Sequence, residues 1–218
     1  MKKLMMAAMA AMAVLAAQAQ EGTETLKIEL PKPQFVGTPK DIKSANLEPA
    51  RNGKPRPPIS VAAGTKVLSR DCKVTSSDTE EPIIGEFDYI TDGDKEHDAA
   101  TYVEMSPGKQ WVQIDLGAEK TIEAACVWHY HGEARVYRDV ACQISNDPAF
   151  KEGVTTVFNN DHDNTLGLGE GKDKEYIETN EGRPFDCNGV KGRYVRFYSN
   201  GNTSNEMNHY TEVEVYGK

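Results

Sequence analysis

From Val67 onward the chain runs in short stretches where apolar and polar residues alternate one for one, broken by Gly, Asn, Asp and Pro, with no apolar spacing of helical period. Alternation of period two puts successive side chains on opposite faces of a pleated strand, so such a chain folds into sheets that bury one face. In Trp111–Gly117 it sets Val112, Ile114 and Leu116 on one face; in Arg193–Tyr198 it turns Val195 and Phe197 inward, and Glu212–Tyr216 repeats the scheme. Strands also fit Ile122–Tyr130, Val140–Ser145 and Thr155–Phe158. The economical architecture is all-β, two packed antiparallel sheets with no internal repeat.

The segment before Val67 is written differently. Lys2 and Lys3 precede an apolar run from Leu4 to Ala17 and then Ala17-Gln18-Ala19, a small-residue cleavage signature, so residues 1–19 read as a secretory signal peptide. Cleavage after Ala19 leaves Gln20 as the first mature residue of a secreted or periplasmic protein. The run is shorter than the roughly 20 residues a spanning helix needs, so membrane insertion is not expected. No cysteine at the cleavage point offers a lipid anchor. Residues 20–66 hold seven of the eleven prolines, including Pro55-Arg56-Pro57-Pro58, and read as a Pro-rich linker or extended arm. This arm is either disordered or packed along the domain at 67–218 with Phe35 and Val36 as anchors. Loss of Lys2 and Lys3 takes the formal charge from −9 to −11. Nucleic acid and anionic lipid are poor partners for such a chain, whereas neutral sugars and cations suit it.

Five motifs carry a resemblance: Ile90-Thr91-Asp92-Gly93-Asp94, Trp111-Val112-Gln113-Ile114-Asp115-Leu116-Gly117, Gln143-Ile144-Ser145-Asn146-Asp147, Arg193-Tyr194-Val195-Arg196 and Glu212-Val213-Glu214-Val215-Tyr216-Gly217. Their order and spacing resemble the discoidin, or coagulation-factor C-type, family with its galactose-binding-like fold, which includes the family 32 carbohydrate-binding modules. The resemblance covers about Leu68 to Lys218. It implies an antiparallel jelly-roll β-sandwich that binds through loops at one end. It also implies a structural Ca2+ held by Asp92, Asp94 and Glu212 with nearby carbonyls, since calcium takes six to eight oxygens. The alternative for the same loop is an Asp-Gly turn whose side chains bond backbone amides. Neither this loop nor Asp161-His162-Asp163 has the sixth-position glycine of an EF-hand.

Four of the five histidines lie in polar stretches: His129 and His131 in Trp128–Arg135, His162 in Asn159–Asn164, and His209 in Asn202–Tyr210. Strand alternation places His129 and His131 on one face, with Trp128 and Tyr130 on the other. Three readings compete. These residues hold loops together through side-chain to backbone bonds; or His129, His131, Arg135, His162, Asn208 and His209 form a carbohydrate site of planar donors and acceptors; or the histidines bind a transition metal.

Cys72, Cys126, Cys142 and Cys187 are even in number, and in an exported chain they invite two disulfides. Alternation puts Cys126 with Ile122 and Trp128, and Cys142 with Val140 and Ile144. Both then point into the core, which favours Cys126–Cys142 with Cys72–Cys187; four buried thiols are the alternative. No nucleophile elbow, phosphate-cradling loop or His-Glu-x-x-His helix appears, and Gly167-Leu168-Gly169-Glu170-Gly171 reads as a mobile loop. The expectation is a non-catalytic module binding a glycan or glycoconjugate. A protein-interaction module of a cell-surface assembly, with a surface protein as partner, is the first alternative, and a metal-dependent enzyme built on the histidines the second.

Overall fold

The structure, a computed structural model, describes residues 22–34, 42, 44–98 and 101–218. The expected signal peptide and the anchors Phe35 and Val36 lie outside the described residues. The described strands are β1 (Thr23–Thr25), β2 (Ser60–Ala62), β3 (Lys66–Val67), β4 (Lys73–Ser76), β5 (Val103–Met105), β6 (Gln110–Trp128), β7 (Ala141–Ser145), β8 (Thr155–Asn159), β9 (Arg183–Ser199), β10 (Asn208–Tyr210) and β11 (Glu212–Gly217). The one described helix is a single 3-10 turn, Phe87–Thr91. Among the described residues no helix is long and apolar enough to cross a membrane.

The main sheet has the order β3-β11-β6-β9-β7-β8, with β4 also on β6, and every pairing is antiparallel. The expected strands at Trp111–Gly117 and Ile122–Tyr130 are one 19-residue strand, β6, paired with the 17-residue β9 through register shifts at Asp115/Lys120 and Ile122/Ala124. The first half of β6 borders β4 and the second half borders β11, while β7 joins only the far half of β9. Yet Val112 and Ile114 from one half share a core with Ile122, Ala125 and Val127 from the other, together with Val195, Phe197, Val213 and Val215. A sheet whose two halves face one core is folded over on itself, which makes the domain a β-sandwich.

The shift beyond Ile122 is a β-bulge, and a bulge reverses which residues face inward. Ile122 points into the main core, but Ala124, Cys126 and Trp128 turn to the outer face beside Tyr216. The favoured disulfides are therefore corrected: Cys126 lies on the opposite face from Cys142, which shares the main core with Cys187, and all four cysteines are free thiols. Burial pushes Cys126 and Cys142 well above the ordinary thiol range.

The N-terminal arm covers that outer face. β1 pairs with β2, and Leu26, Ile28 and Ile59 pack with buried Val61 over Ala124, Cys126, Trp128 and Tyr216. Burying Val61 alone contributes on the order of 1.5 kcal/mol. Lys95 Nζ donates to the Glu29 carbonyl (3.0 Å) and Asn180 Nδ2 to the Pro31 carbonyl (2.8 Å), which satisfies backbone groups the arm would otherwise leave unpaired. Farther on, Leu47 forms a parallel bridge with Glu175, and Arg56 and Arg183 both donate to Glu48 at 3.1 and 2.9 Å. Of the two readings of the arm, its described residues follow the packed one.

Candidate functional site

β7 begins where β8 and β9 end, since Ala141 pairs with both Asn159 and Tyr198. The segments just outside these three strands therefore meet at one end of the sandwich. They form a cleft of about 400 Å³. Arg138 and Asp139 come from before β7, Asn160, His162 and Asp163 from after β8, and Asn200 from after β9.

Each wall is fixed locally. Asn160, 1% exposed, exchanges two bonds with Val140: its N–H donates to the Val140 carbonyl (2.9 Å), and its Oδ1 accepts the Val140 N–H (2.7 Å). That bond settles the amide's orientation and leaves Nδ2–H as a buried donor with no protein partner. Asp161 is buried and its two carboxylate oxygens accept the N–H groups of Thr165 (2.9 Å) and Leu166 (2.7 Å), curling the loop back. Gly171 closes the loop by donating to the Asp161 carbonyl at 2.7 Å. Of the Gly167–Gly171 stretch only Gly171 is buried; Gly167, Gly169 and Glu170 are exposed and none of the stretch lines the cleft. The arm adds the last side: Asn46 lines the cleft next to Glu175, whose N–H donates to the Asn46 carbonyl (3.1 Å) and whose carboxylate accepts the Ser44 hydroxyl.

Carboxylate oxygens of Asp139, Asp161 and Asp163 lie within 4.8 Å of one another, the only such group of potential metal ligands among the described residues. Burial pushes the Asp139 carboxyl above its usual range; the Asn200 amide donating at 2.7 Å opposes this, and the charges of Asp161 and Asp163 add to it. Burial likewise raises Glu175, with the His162 side pulling it back and Asp139 pushing it further. Bonds from Thr165 hold Asp163 low. The cleft can therefore accept many hydrogen bonds, donate a few, and offer negative charge.

Of the six residues expected to bind ligand, only His162 lines this cleft. His129 is fully buried, with Nδ1 2.9 Å from Glu178 and its ring stacked on Tyr137 at 4.2 Å. His131 donates from Nε2 to the Lys95 carbonyl (2.8 Å), and burial lowers its pKa. His209 sits between the Tyr137 hydroxyl (3.0 Å) and Glu104 (2.9 Å); burial, helped by Arg135 and His129, pushes it down to about 3, so it is a neutral imidazole. Asn208 spends its amide on Ser106 and Gly108 carbonyls and its oxygen on Ser199 and Gly201. Arg135 lies 4.7 Å above the Tyr130 ring and bonds Glu133. The physical reason is that β6 stops at Trp128 and the chain beyond it tucks inward, so alternation no longer sorts the faces. With no histidine in the group of clustered ligating residues, the transition-metal reading has no geometry behind it.

The expected calcium residues also part company. Asp92 Oδ1 accepts the Asp94 N–H (2.7 Å), Asp94 Oδ1 accepts the Glu96 N–H (3.0 Å), and Glu212 accepts the Gly93 N–H (3.0 Å). Burial pushes the Glu212 carboxyl up to about 9. The Arg70 guanidinium lies directly against Gly93 and 3.9 Å from Glu214, and Lys95 Nζ is 2.7 Å from Glu214. Arg70 thus lies near Asp92 and Glu214 and Lys95 against Glu214, and Asp92, Asp94 and Glu212 are not in the one cluster of potential metal ligands among the described residues.

Sequence reasoning missed Arg138, Asp139, Asn160, Glu175, Asn200 and Asn46. The run Asn159–Asn164 was the available signal as a dense polar stretch, although most of its amide and carboxylate groups bond the loop's own backbone and only Asn160 Nδ2 is left buried without a partner.

The F5/8 type C domain model matches residues 73–213, more than half of the 218-residue chain. No curated protein matches it. Among solved structures, the chain is similar to truncated AlyQ with CBM32 and alginate lyase domains (TM-score 0.51, 23% identity, 71% of this chain and 34% of that one). It is also similar to CpGH89 from Clostridium perfringens in complex with its substrate GlcNAc-α-1,4-galactose (TM-score 0.50, 18% identity, 70% and 14%). The isolated CBM32 of AlyQ, in complex with 4,5-unsaturated mannuronic acid, matches at TM-score 0.49 and 24% identity, over 67% of this chain and 95% of that one. The chain spans about a third of the first structure's length and a seventh of the second's; these likenesses concern the sandwich fold.

Proposed function

Because the chain belongs to the F5/8 type C domain family, we propose that it is an exported, non-catalytic module that recognises a carbohydrate or glycoconjugate through the polar cleft at the loop end of its sandwich. The observation that carries this is the Asn160 amide: a buried donor without a protein partner, in a cleft lined almost wholly by hydrogen-bonding groups. Leaving such a group unpaired costs about 1–3 kcal/mol, which a ligand hydroxyl or ring oxygen would offset. The likeness to proteins named for a carbohydrate-binding module and for a glycan substrate supports the reading by analogy. Export rests on Lys2, Lys3, the apolar run and Ala17-Gln18-Ala19.

A glycan-array screen of the chain from Gln20, beside His162→Ala, tests it. Reproducible binding to one glycan class, weakened in the variant while its melting temperature holds, is the expected result. A folded protein that binds no glycan would turn the assignment to a protein-interaction module. One observation favours that second reading: an apolar groove of about 230 Å³ between Leu26, Ile28, Pro55 and Ile59, with Leu30 half exposed at its edge.

A further inference from the structure

Resting on the glycan-binding reading, we propose that the cleft selects a sugar carrying a positive charge, an amino sugar with a free ammonium group, and rejects uronates. The lining holds three carboxyl groups, Asp139, Asp163 and Glu175, with Asp161 just behind, against the basic side chains of Arg138 and His162, so acidic groups outnumber basic ones. The mutual repulsion of Asp139, Asp161 and Asp163, whose oxygens lie within 4.8 Å, is the interaction a cation relieves. A uronate carboxylate entering the same space would add to that repulsion. The whole chain, at −9, steers ligands in the same sense.

Charge alone would suit a metal ion equally well, but Asn160 does not. Its orphan Nδ2–H, on a side chain 1% exposed, calls for an acceptor oxygen, as does the unpartnered His162 Nε2 when it carries its proton. A bare cation leaves the Asn160 N–H unsatisfied, although an unprotonated His162 Nε2 could ligate it, whereas an amino sugar brings both an ammonium for the carboxylates and oxygens for these donors. No Trp, Tyr or Phe lines the cleft, so a sugar cannot be held by stacking on a ring. Affinity has to come from polar contacts, and charge-assisted ones are the strongest of those.

The test is calorimetry on the full mature chain at mildly acidic pH, where sugar amines are protonated. The probes are a β-1,4-glucosamine tetramer, its fully N-acetylated counterpart, a mannuronate tetramer, and calcium chloride alone. The glucosamine tetramer should bind at least about tenfold tighter than either other sugar, a difference of about 1.4 kcal/mol. That binding should weaken with added salt and in Asp163→Asn, whose Oδ1 can still accept the Thr165 N–H and keep the loop folded. Equal or tighter binding of the N-acetylated or mannuronate tetramer overturns the charge selection and leaves the glycan reading standing. Binding of no tetramer overturns the amino-sugar assignment, and the glycan reading falls with it only if the array is blank as well. Calcium binding that is lost in Asp163→Asn would make the carboxylates a metal site and overturn the amino-sugar assignment.

Discussion

Gly171→Ala should be among the most damaging small substitutions in the molecule, although Gly171 lies in a loop. A Cβ there would stand 2.4 Å from the Asn159 carbonyl oxygen, 2.6 Å from Asn159 Oδ1 and 2.7 Å from the Asn159 carbonyl carbon. Two of these are backbone atoms at the end of β8, and the third is pinned by the Asp161 N–H at 2.9 Å. No flexible side-chain tip can yield, so strand end or loop must move. Gly171 does not need a positive φ, which makes the contact the whole cost. Overpacking of this kind costs about 1–3 kcal/mol. Loss of one neighbouring bond, such as Gly171 N–H to the Asp161 carbonyl or Asp173 N–H to the Asn159 carbonyl, adds about 1 kcal/mol. The sum, roughly 2–4 kcal/mol, corresponds to a fall in Tm of about 5–15 °C for a chain this size. Gly169→Ala is the control: it meets nothing within 4 Å but holds φ +94°, so only backbone strain of about 1–2 kcal/mol applies. Urea and thermal unfolding of both variants, with glycan binding in parallel, check the reasoning. The loop Gly171 closes carries Asp161 and Asp163, so its variant should lose affinity as well as stability. If Gly171→Ala melts at or above Gly169→Ala and binds normally, the close approach has been misjudged.

Three further outcomes are expected. His209 stays neutral in the folded protein down to about pH 3, while the unfolded chain takes up its proton near 6.5; stability should therefore fall with acidification through that window by about 1.4 kcal/mol per pH unit. His209→Gln, which can still bond Tyr137 and Glu104, should flatten that slope in urea titrations from about pH 6 to about pH 4, and parallel curves would contradict it. Chelator should leave Tm unchanged, since Arg70 already lies near Asp92 and Glu214 and Lys95 against Glu214; a clear drop would restore the calcium expected from the resemblance. Glu48→Gln should lower stability by about 1 kcal/mol and speed proteolysis within residues 44–58, because Glu48 holds both Arg56 and Arg183; an unchanged cleavage rate would mean the arm is held elsewhere.

The sheets were legible because period-two alternation is a direct consequence of the pleat. Val112, Ile114, Leu116, Val195, Phe197, Val213 and Val215 all reach the core their alternation assigns. The bulge after Ile122 was not legible: Ile122-Glu123-Ala124-Ala125 borders buried surfaces on both faces, so apolar residues occur in both parities and nothing marks the slip. That single shift undid the cysteine pairing. The histidines misled for a related reason, since polar residues after Trp128 look solvent-facing only if the strand continues, and it does not. Of the cleft, the Asn159–Asn164 wall was visible only as a dense polar run, most of which bonds its own loop. Its meeting with Asn46, Glu175 and Asn200 depends on strand register across the whole sheet, and no local pattern encodes that.

Strand β6 joins β4, β9 and β11, whereas its neighbours along the chain, β5 and β7, are not among its partners. Each pairing must close a long loop, and lose that chain entropy, before any contact compensates it. The domain consequently has no hairpin around β6 from which to start and belongs with sandwiches that fold in roughly milliseconds to seconds. Throughout that interval both edges of a 19-residue strand stand open to any other chain. Refolding yield should therefore fall with protein concentration, and the kinetic hazard resides in the same strand that later organises the native core.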